Sequence, residues 1–212
     1  MVLTATDSAA SVYERIKRSA QSTASAGFYR LTFQAMNTAC GVQFRTLEPA
    51  LARDFQTEVL RWVAGFEARY SRFIEDSLIS RINAAAGREW VEVDEETDAL
   101  LTLCQDMNFF SRGVFDPTSL PLIRIWNWKA SPPVIPDDAA IRAARELTGW
   151  RKVQRRPGAI FLPREGMCLD LGGIGKEYAV DRVLTLALQR GLPNVLVDFG
   201  NRSEEHTSEL QS

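Results

Sequence analysis

Residues 167–181 read MCLDLGGIGKEYAVD, and the rest of the chain is organised around this stretch. A short apolar run, Met167 to Leu171, carries one acid, Asp170, and stops at Gly172-Gly173. From Glu177 the apolar positions take helical spacing: Val180, Val183, Leu184, Ala187 and Leu188 share one face. Gly191 falls where a left-handed C′ residue ends a helix. Asn194 to Phe199 (NVLVDF) then has the character of a buried strand. Strand, glycine turn, helix and strand together predict a βαβ unit at the C-terminal end, with a right-handed crossover.

Such a turn has a chemical use. A glycine turn running into a helix N-terminus exposes backbone N–H groups at the positive end of the helix dipole, where phosphate binds. Lys176 adds a mobile cation, and Asp170 sets a carboxylate at the end of the apolar run. The two best-known glycine motifs do not fit. A P-loop needs Ser or Thr after Gly-Lys, where Glu177 stands, and the dinucleotide fingerprint needs a glycine where Tyr178 stands. On the residues alone, an anion site and a structural turn with a solvated lysine are equally good readings.

The chain has 212 residues, enough for one domain or two small ones sharing a core. Hydrophobic residues at 45% and charged residues at 25% match an ordinary globular protein. No apolar run reaches membrane-spanning length, and residues 1–27 show no apolar leader core, so the compartment stays open: the chain is either cytoplasmic as encoded or begins at a misassigned start. That Ser/Ala/Thr-rich segment is expected to fray. Cys40, Cys104 and Cys168 are odd in number and far apart, which predicts reduced, buried thiols rather than a disulfide framework or metal site. Residues 202–212 (RSEEHTSELQS) resemble a translated sequencing-library adapter and are expected to be an artefactual tail, so that the natural sequence is truncated near Asn201. The single histidine, His206, lies in that tail, which removes histidine triads and histidine metal clusters from the remainder. Without Arg202 and the three tail glutamates, 25 basic and 27 acidic residues become 24 of each. That balance excludes the basic footprint of a nucleic-acid binder.

Phe28 to Leu47 alternates as a β-hairpin turning near Met36-Asn37-Thr38. Glu48-Pro49 opens a long amphipathic helix whose face is Leu51, Phe55, Val59, Trp62, Val63, Phe66 and Tyr70. Ser77 caps a short helix, Leu78 to Ala86, closed by Gly87; a brief strand spans Glu89 to Val93. Asp94 caps another helix to about Arg112, closed by Gly113, with Leu100, Leu101, Leu103, Cys104, Met107 and Phe110 expected on its buried side. In Gly113 to Trp128, Asp116-Pro117-Thr118 is a turn, and Pro121 restricts the chain again. The residues slightly favour a capped turn with core tryptophans over a rigid loop presenting Phe115 and Asp116 to a flat ligand. Lys129 to Asp138 reads as a linker, followed by a helix capped by Asp137 or Asp138 and ended by Gly149. Trp150–Gln154 and Ala159–Leu162 form a second hairpin, with Arg155 and Arg156 expected in solvent.

Five stretches in this order, MNTACGVQF, SRFIEDSLISRIN, GVFDPTSLPLIRIW, LDLGGIGKEYAVDR and LVDFGN, resemble the ApbE family of FAD:protein FMN transferases from about Arg30 to Asn201. The resemblance implies a mixed α/β (α+β) ApbE-like flavin transferase fold over residues 28–201, incomplete at its C-terminal end. It also implies transfer of FMN from FAD to a threonine or serine hydroxyl of a target flavoprotein, with AMP leaving and Mg²⁺ required. Carried over by position, it implies FAD contacts from Met36, Phe73, Val114, Phe115, Asp116, Asp170 and Lys176, with Asp170 and Lys176 as the catalytic pair. Gly173 would give Mg²⁺ a backbone carbonyl oxygen. Phosphoryl transfer rests on positioning and charge neutralisation, so a metal, a lysine and helix-terminal amides are suitable equipment.

Asn37 and Glu177 stand where the family usually has glycine. Two further Mg²⁺ ligands, an aspartate and a threonine, belong to a later family motif that the chain does not reach, so this polypeptide is expected to be inactive in transfer. Many family members are exported lipoproteins. The alternatives are a Mg²⁺-dependent FAD pyrophosphatase giving FMN and AMP, a non-catalytic FAD-binding protein, and a domain whose glycine turns are purely structural.

Overall fold

A computed structural model describes residues 5–126, 134–200 and 203–206, with side chains described over 9–126 and 134–200. In chain order the elements are α1 (Ala5–Ser19), β1 (Gln21–Ser25), β2 (Phe28–Ala35), β3 (Thr38–Arg45), α2 (Pro49–Tyr70), α3 (Leu78–Ala84), β4 (Val91–Glu92) and α4 (Glu95–Phe110). There follow α5 (Leu120–Ile125), α6 (Asp138–Glu146), a short 3-10 turn (Trp150–Lys152), β5 (Gln154–Arg156), β6 (Ala159–Phe161), α7 (Gly175–Gln189), β7 (Val195–Phe199) and β8 (Ser203–His206). The chain divides into two compact units: Met1–Asp76 with Ile174–Ser212, and Ser77–Gly173.

The first unit is built on an antiparallel sheet of order β1-β2-β3-β7-β8. Alternation puts every second residue of the central strands on one buried face. Register aligns those residues into rows: Leu31 faces Val42, which faces Val197, and Phe33 faces Cys40, which faces Phe199. Helix α2 brings Phe55, Val59 and Val63 to this core, all fully buried. The Phe55 ring meets Phe44 edge-on at 5.0 Å, and Phe33 meets Phe199 at 5.9 Å. Each such ring contributes about 1.5–3 kcal/mol through burial. Phe66 of α2 stacks on Tyr178 of α7 at 5.8 Å.

The second unit packs α3, α4, α5 and α6 with a small sheet of order β4-β6-β5. The N-caps are those read from the sequence: Ser77 accepts from Ser80 N–H, Asp94 from Thr97 N–H and Asp137 from Ala140 N–H. Leu78, Ile79, Ile82, Leu100, Leu101, Ile160, Leu162 and Met167 supply its core.

Several expectations are corrected. Residues 1–27 hold α1 and β1, because Val12 and Ile16 give α1 a buried face and β1 finds β2 as a partner. Met167–Leu171 is not a strand, so there is no βαβ unit; the run is buried, but its backbone is met by a side chain and a loop, and β7 pairs antiparallel with β3. Met107 and Phe110 lie exposed, Phe110 at 78%, because the last turn of α4 turns Asn108 inward instead. Arg155 is not in solvent: its guanidinium donates to Asp98 Oδ1 at 2.8 Å and Thr102 Oγ1 at 2.9 Å. Arg156 is exposed as expected, with its guanidinium over the Trp90 ring at 4.5 Å. The stretch after Asp116 contains α5, and Trp126 is exposed rather than core. Trp128 and residues 129–133 of the expected linker lie outside the described residues. Apart from these corrections, Ser203–His206 pairs with β7, and the expectation of an artefactual tail over residues 202–212 stands as made.

The three cysteines are free and buried. Burial pushes the Cys40 and Cys104 thiols from 9.0 up to about 12. Between these values the folded chain keeps thiol protons that the unfolded chain releases. The associated stability is therefore whole below pH 9 and falls as pH rises toward 12, by up to about 1.4 kcal/mol per pH unit for each thiol. Urea midpoints measured from pH 8 to 11 are expected to fall more steeply for the native chain than for a Cys40→Ala, Cys104→Ala double variant. Parallel slopes would refute the assignment.

Candidate functional site

Met36, Phe73 and Lys176 belong to the first unit; Val114, Phe115, Asp116, Asp170 and Gly173 belong to the second. Met36 and Asn37 are the central residues of the turn joining β2 to β3, with φ of 50° and 58°. Positive φ at both positions is the mark of a type I′ hairpin turn. Asparagine tolerates this conformation, so Asn37 can stand where the family's glycine is usual. Methionine does not, at a cost of roughly 1–2 kcal/mol, and strain of this kind gathers at functional sites. The Met36 N–H donates to Glu67 Oε2 at 2.9 Å, and Glu67 Oε1 takes a hydrogen bond from Arg15 at 2.6 Å.

Lys176 is the second residue of α7, whose N-cap, Ile174, offers no side-chain hydrogen bond. First-turn amides without a side-chain cap, beside a lysine, suit an anion. Glu177 lies in the regular first turn of α7, so the usual glycine is not required by backbone geometry there. The charge of Lys176 reaches the hairpin: burial is the main cause of the raised Cys40 pKa, and Lys176 opposes it while Glu67 and Asp198 add to it. Phe73 is 69% exposed, with the Arg72 guanidinium 4.1 Å from its ring centroid.

In the second unit, the carboxylate of Asp116 is turned inward. Its Oδ1 accepts from Thr118 N–H at 2.8 Å and Thr118 Oγ1 at 2.6 Å, and its Oδ2 accepts from Trp150 N–H at 2.9 Å. Phe115 is fixed on both sides of its backbone: its N–H donates to Ser111 Oγ, and its carbonyl accepts from the buried Asn108 at 2.7 Å. Val114 is 90% exposed. Asp170 N–H donates to Pro117 O at 2.8 Å, and Asp170 Oδ1 accepts from Gly172 N–H at 2.9 Å. A Cβ on Gly173 would lie 3.4 Å from the Phe115 ring. Phe115, Asp116, Asp170 and Gly173 are thus brought together. Sequence reasoning missed Glu67, Asn83 and Asn108, whose only signal is a polar residue set among helical apolar positions.

Among the described residues, no group of three or more His, Cys, Asp or Glu could by itself hold a metal ion. No helix among them is long and apolar enough to cross a membrane.

The ApbE family model matches residues 36–203. The chain belongs to the ApbE family. Every candidate residue named above falls inside the matched span. The chain is 30% identical over 173 residues to the FAD:protein FMN transferase of Treponema pallidum, covering 78% of this chain and 48% of that protein. It is 26% identical to the FAD:protein FMN transferase of Vibrio cholerae, covering 80% of this chain and 52% of that one. The chain spans about half the length of the curated ApbE relatives it matches. Among solved structures, the ApbE protein of Thermotoga maritima superposes with a TM-score of 0.72 at 28% identity, over 82% of this chain and 57% of that chain. The flavin transferase ApbE of Vibrio cholerae, at 24% identity and a TM-score of 0.77 over 88% of this chain and 60% of that one, shares the fold.

Proposed function

We propose that the protein to which this chain belongs transfers FMN from FAD to a threonine or serine hydroxyl of a target flavoprotein, releasing AMP. The family match over residues 36–203, which takes in every candidate residue, carries this reading. In it, Met36 and Phe73 are flavin contacts, and Val114, Phe115 and Asp116 form a loop that touches FAD. Lys176 and the first-turn amides of α7 hold the diphosphate, and Asp170 orients the dinucleotide. Gly173 offers a carbonyl oxygen to Mg²⁺, and an uncharged oxygen donor suits a hard cation that keeps waters and takes phosphate oxygens. Bound there, Mg²⁺ would neutralise charge developing on the diphosphate.

The reading is tested by titrating the 212-residue chain with FAD and following flavin fluorescence. Saturable binding is expected, and Lys176→Met is expected to weaken it about tenfold to a hundredfold, the loss of one charge-assisted contact. No saturable binding would overturn the reading. Product analysis of the longer protein with FAD, Mg²⁺ and an acceptor flavoprotein separates the chemistries: covalent FMN with AMP marks a transferase, and free FMN with AMP a pyrophosphatase.

A further inference from the structure

Asn83, near the end of α3, meets the main chain of Leu169 at both ends of its amide. Leu169 N–H donates to Asn83 Oδ1 at 2.6 Å, and Asn83 Nδ2 donates to Leu169 O at 3.0 Å. Two bonds exchanged with one residue are what a neighbouring strand would supply. Here one side chain supplies them from 86 positions away in sequence. Leu169 and Leu171 are buried on either side of Asp170, which anchors the run by packing. Apolar packing is non-directional and sets the register of an extended segment poorly. The paired hydrogen bonds set it, and the next residue is Asp170, whose own N–H is held by Pro117 O.

We infer that Asn83 is a positioning residue for FAD: it fixes the register of Leu169, and thereby places the Asp170 carboxylate and the Gly172-Gly173 turn against Phe115. This rests on the FAD reading proposed above. Asn83 touches no reacting atom; it acts through the backbone of Leu169.

Two variants of the full 212-residue chain test it. Asn83→Ala leaves both main-chain groups of Leu169 without their partner. Asn83→Asp keeps the size and the acceptor, and regains the donor only when its carboxyl is neutral. Asn83→Ala is expected to weaken FAD binding at least tenfold and to lower amide-exchange protection at Leu169 and Asp170 at least tenfold without FAD. For Asn83→Asp, the dissociation constant relative to the unsubstituted chain is expected to be raised at pH 8, where a carboxylate faces Leu169 O. That ratio is expected to fall at least threefold at pH 5. A residue that only stabilised α3 would give a ratio independent of pH. Affinity within threefold of the unsubstituted chain for both variants at pH 8, or a pH-independent ratio, overturns the inference. Should Asn83→Ala not fold, the pH profile of Asn83→Asp decides. Should the unsubstituted chain bind no FAD, the proposed function falls instead. Exchange then judges the clamp: undiminished protection at Leu169 refutes it, and protection lost in Asn83→Asp at pH 8 and regained at pH 5 upholds it.

Discussion

Asp116→Ala is expected to destabilise the protein by about 3–5 kcal/mol, a fall of roughly 10 °C in unfolding midpoint for a chain of this size. The substitution removes the acceptor of three hydrogen bonds at once, from Thr118 N–H, Thr118 Oγ1 and Trp150 N–H. Thr118 is fully buried, so water does not replace the lost partner. Its hydroxyl also accepts from Gly149 N–H at 2.7 Å, so the Asp116 turn and the segment after α6 loosen together. Asp116→Asn separates charge from geometry. One amide oxygen still serves Thr118, while the amide nitrogen faces the Trp150 N–H, and the expected loss is about 1–2 kcal/mol. Urea or thermal unfolding of the three proteins provides the comparison. A loss below about 1 kcal/mol for Asp116→Ala would mean that Pro117 and Pro121 alone hold the loop.

What was legible in the sequence was local. The caps at Ser77, Asp94 and Asp137 were readable because a helix N-terminus is settled within four residues. The hairpin at Met36-Asn37 was readable from alternation and its turn, although nothing local says that a methionine takes a left-handed conformation there. The failures share a cause: the deciding partner is far away in sequence. Met167–Leu171 has the composition of a strand, yet Asn83 and Pro117 satisfy its backbone. Arg155 looks like a turn arginine until Asp98 and Thr102 appear beside it. The site follows the same rule. That Asp116 caps its own turn followed from the proline after it, whereas Trp150 as its second partner did not. The role proposed for Phe73, an exposed ring under Arg72, rests only on the family resemblance.

Gly87→Ala is expected to cost about 3 kcal/mol, and the reason is steric as much as conformational. Gly87 has φ +75°, and a Cβ there would stand 2.5 Å from the backbone nitrogen of Glu165 and 3.0 Å from its Cα. An L residue in this region costs roughly 1–2 kcal/mol, and forcing main chain out of a packed contact a further 1–3 kcal/mol. The contact cannot be relieved by a side-chain rotation, because the atoms struck are backbone. Nor can Gly87 easily back away, since its N–H donates to Leu162 O at 2.7 Å. Gly113→Ala is the control: φ is +84°, nothing lies within 4 Å of the added Cβ, and only the conformational part, about 1–2 kcal/mol, should appear. The excess at Gly87 measures how firmly Glu165 is held. Because Glu165 precedes Leu169 by four residues, that displacement should also reach the Asn83 clamp, so Gly87→Ala is expected to lower amide protection at Leu169 where Gly113→Ala leaves it intact. Equal losses of stability in the two variants would mean that the Glu165 turn yields freely, and that the register of Asp170 is set without it.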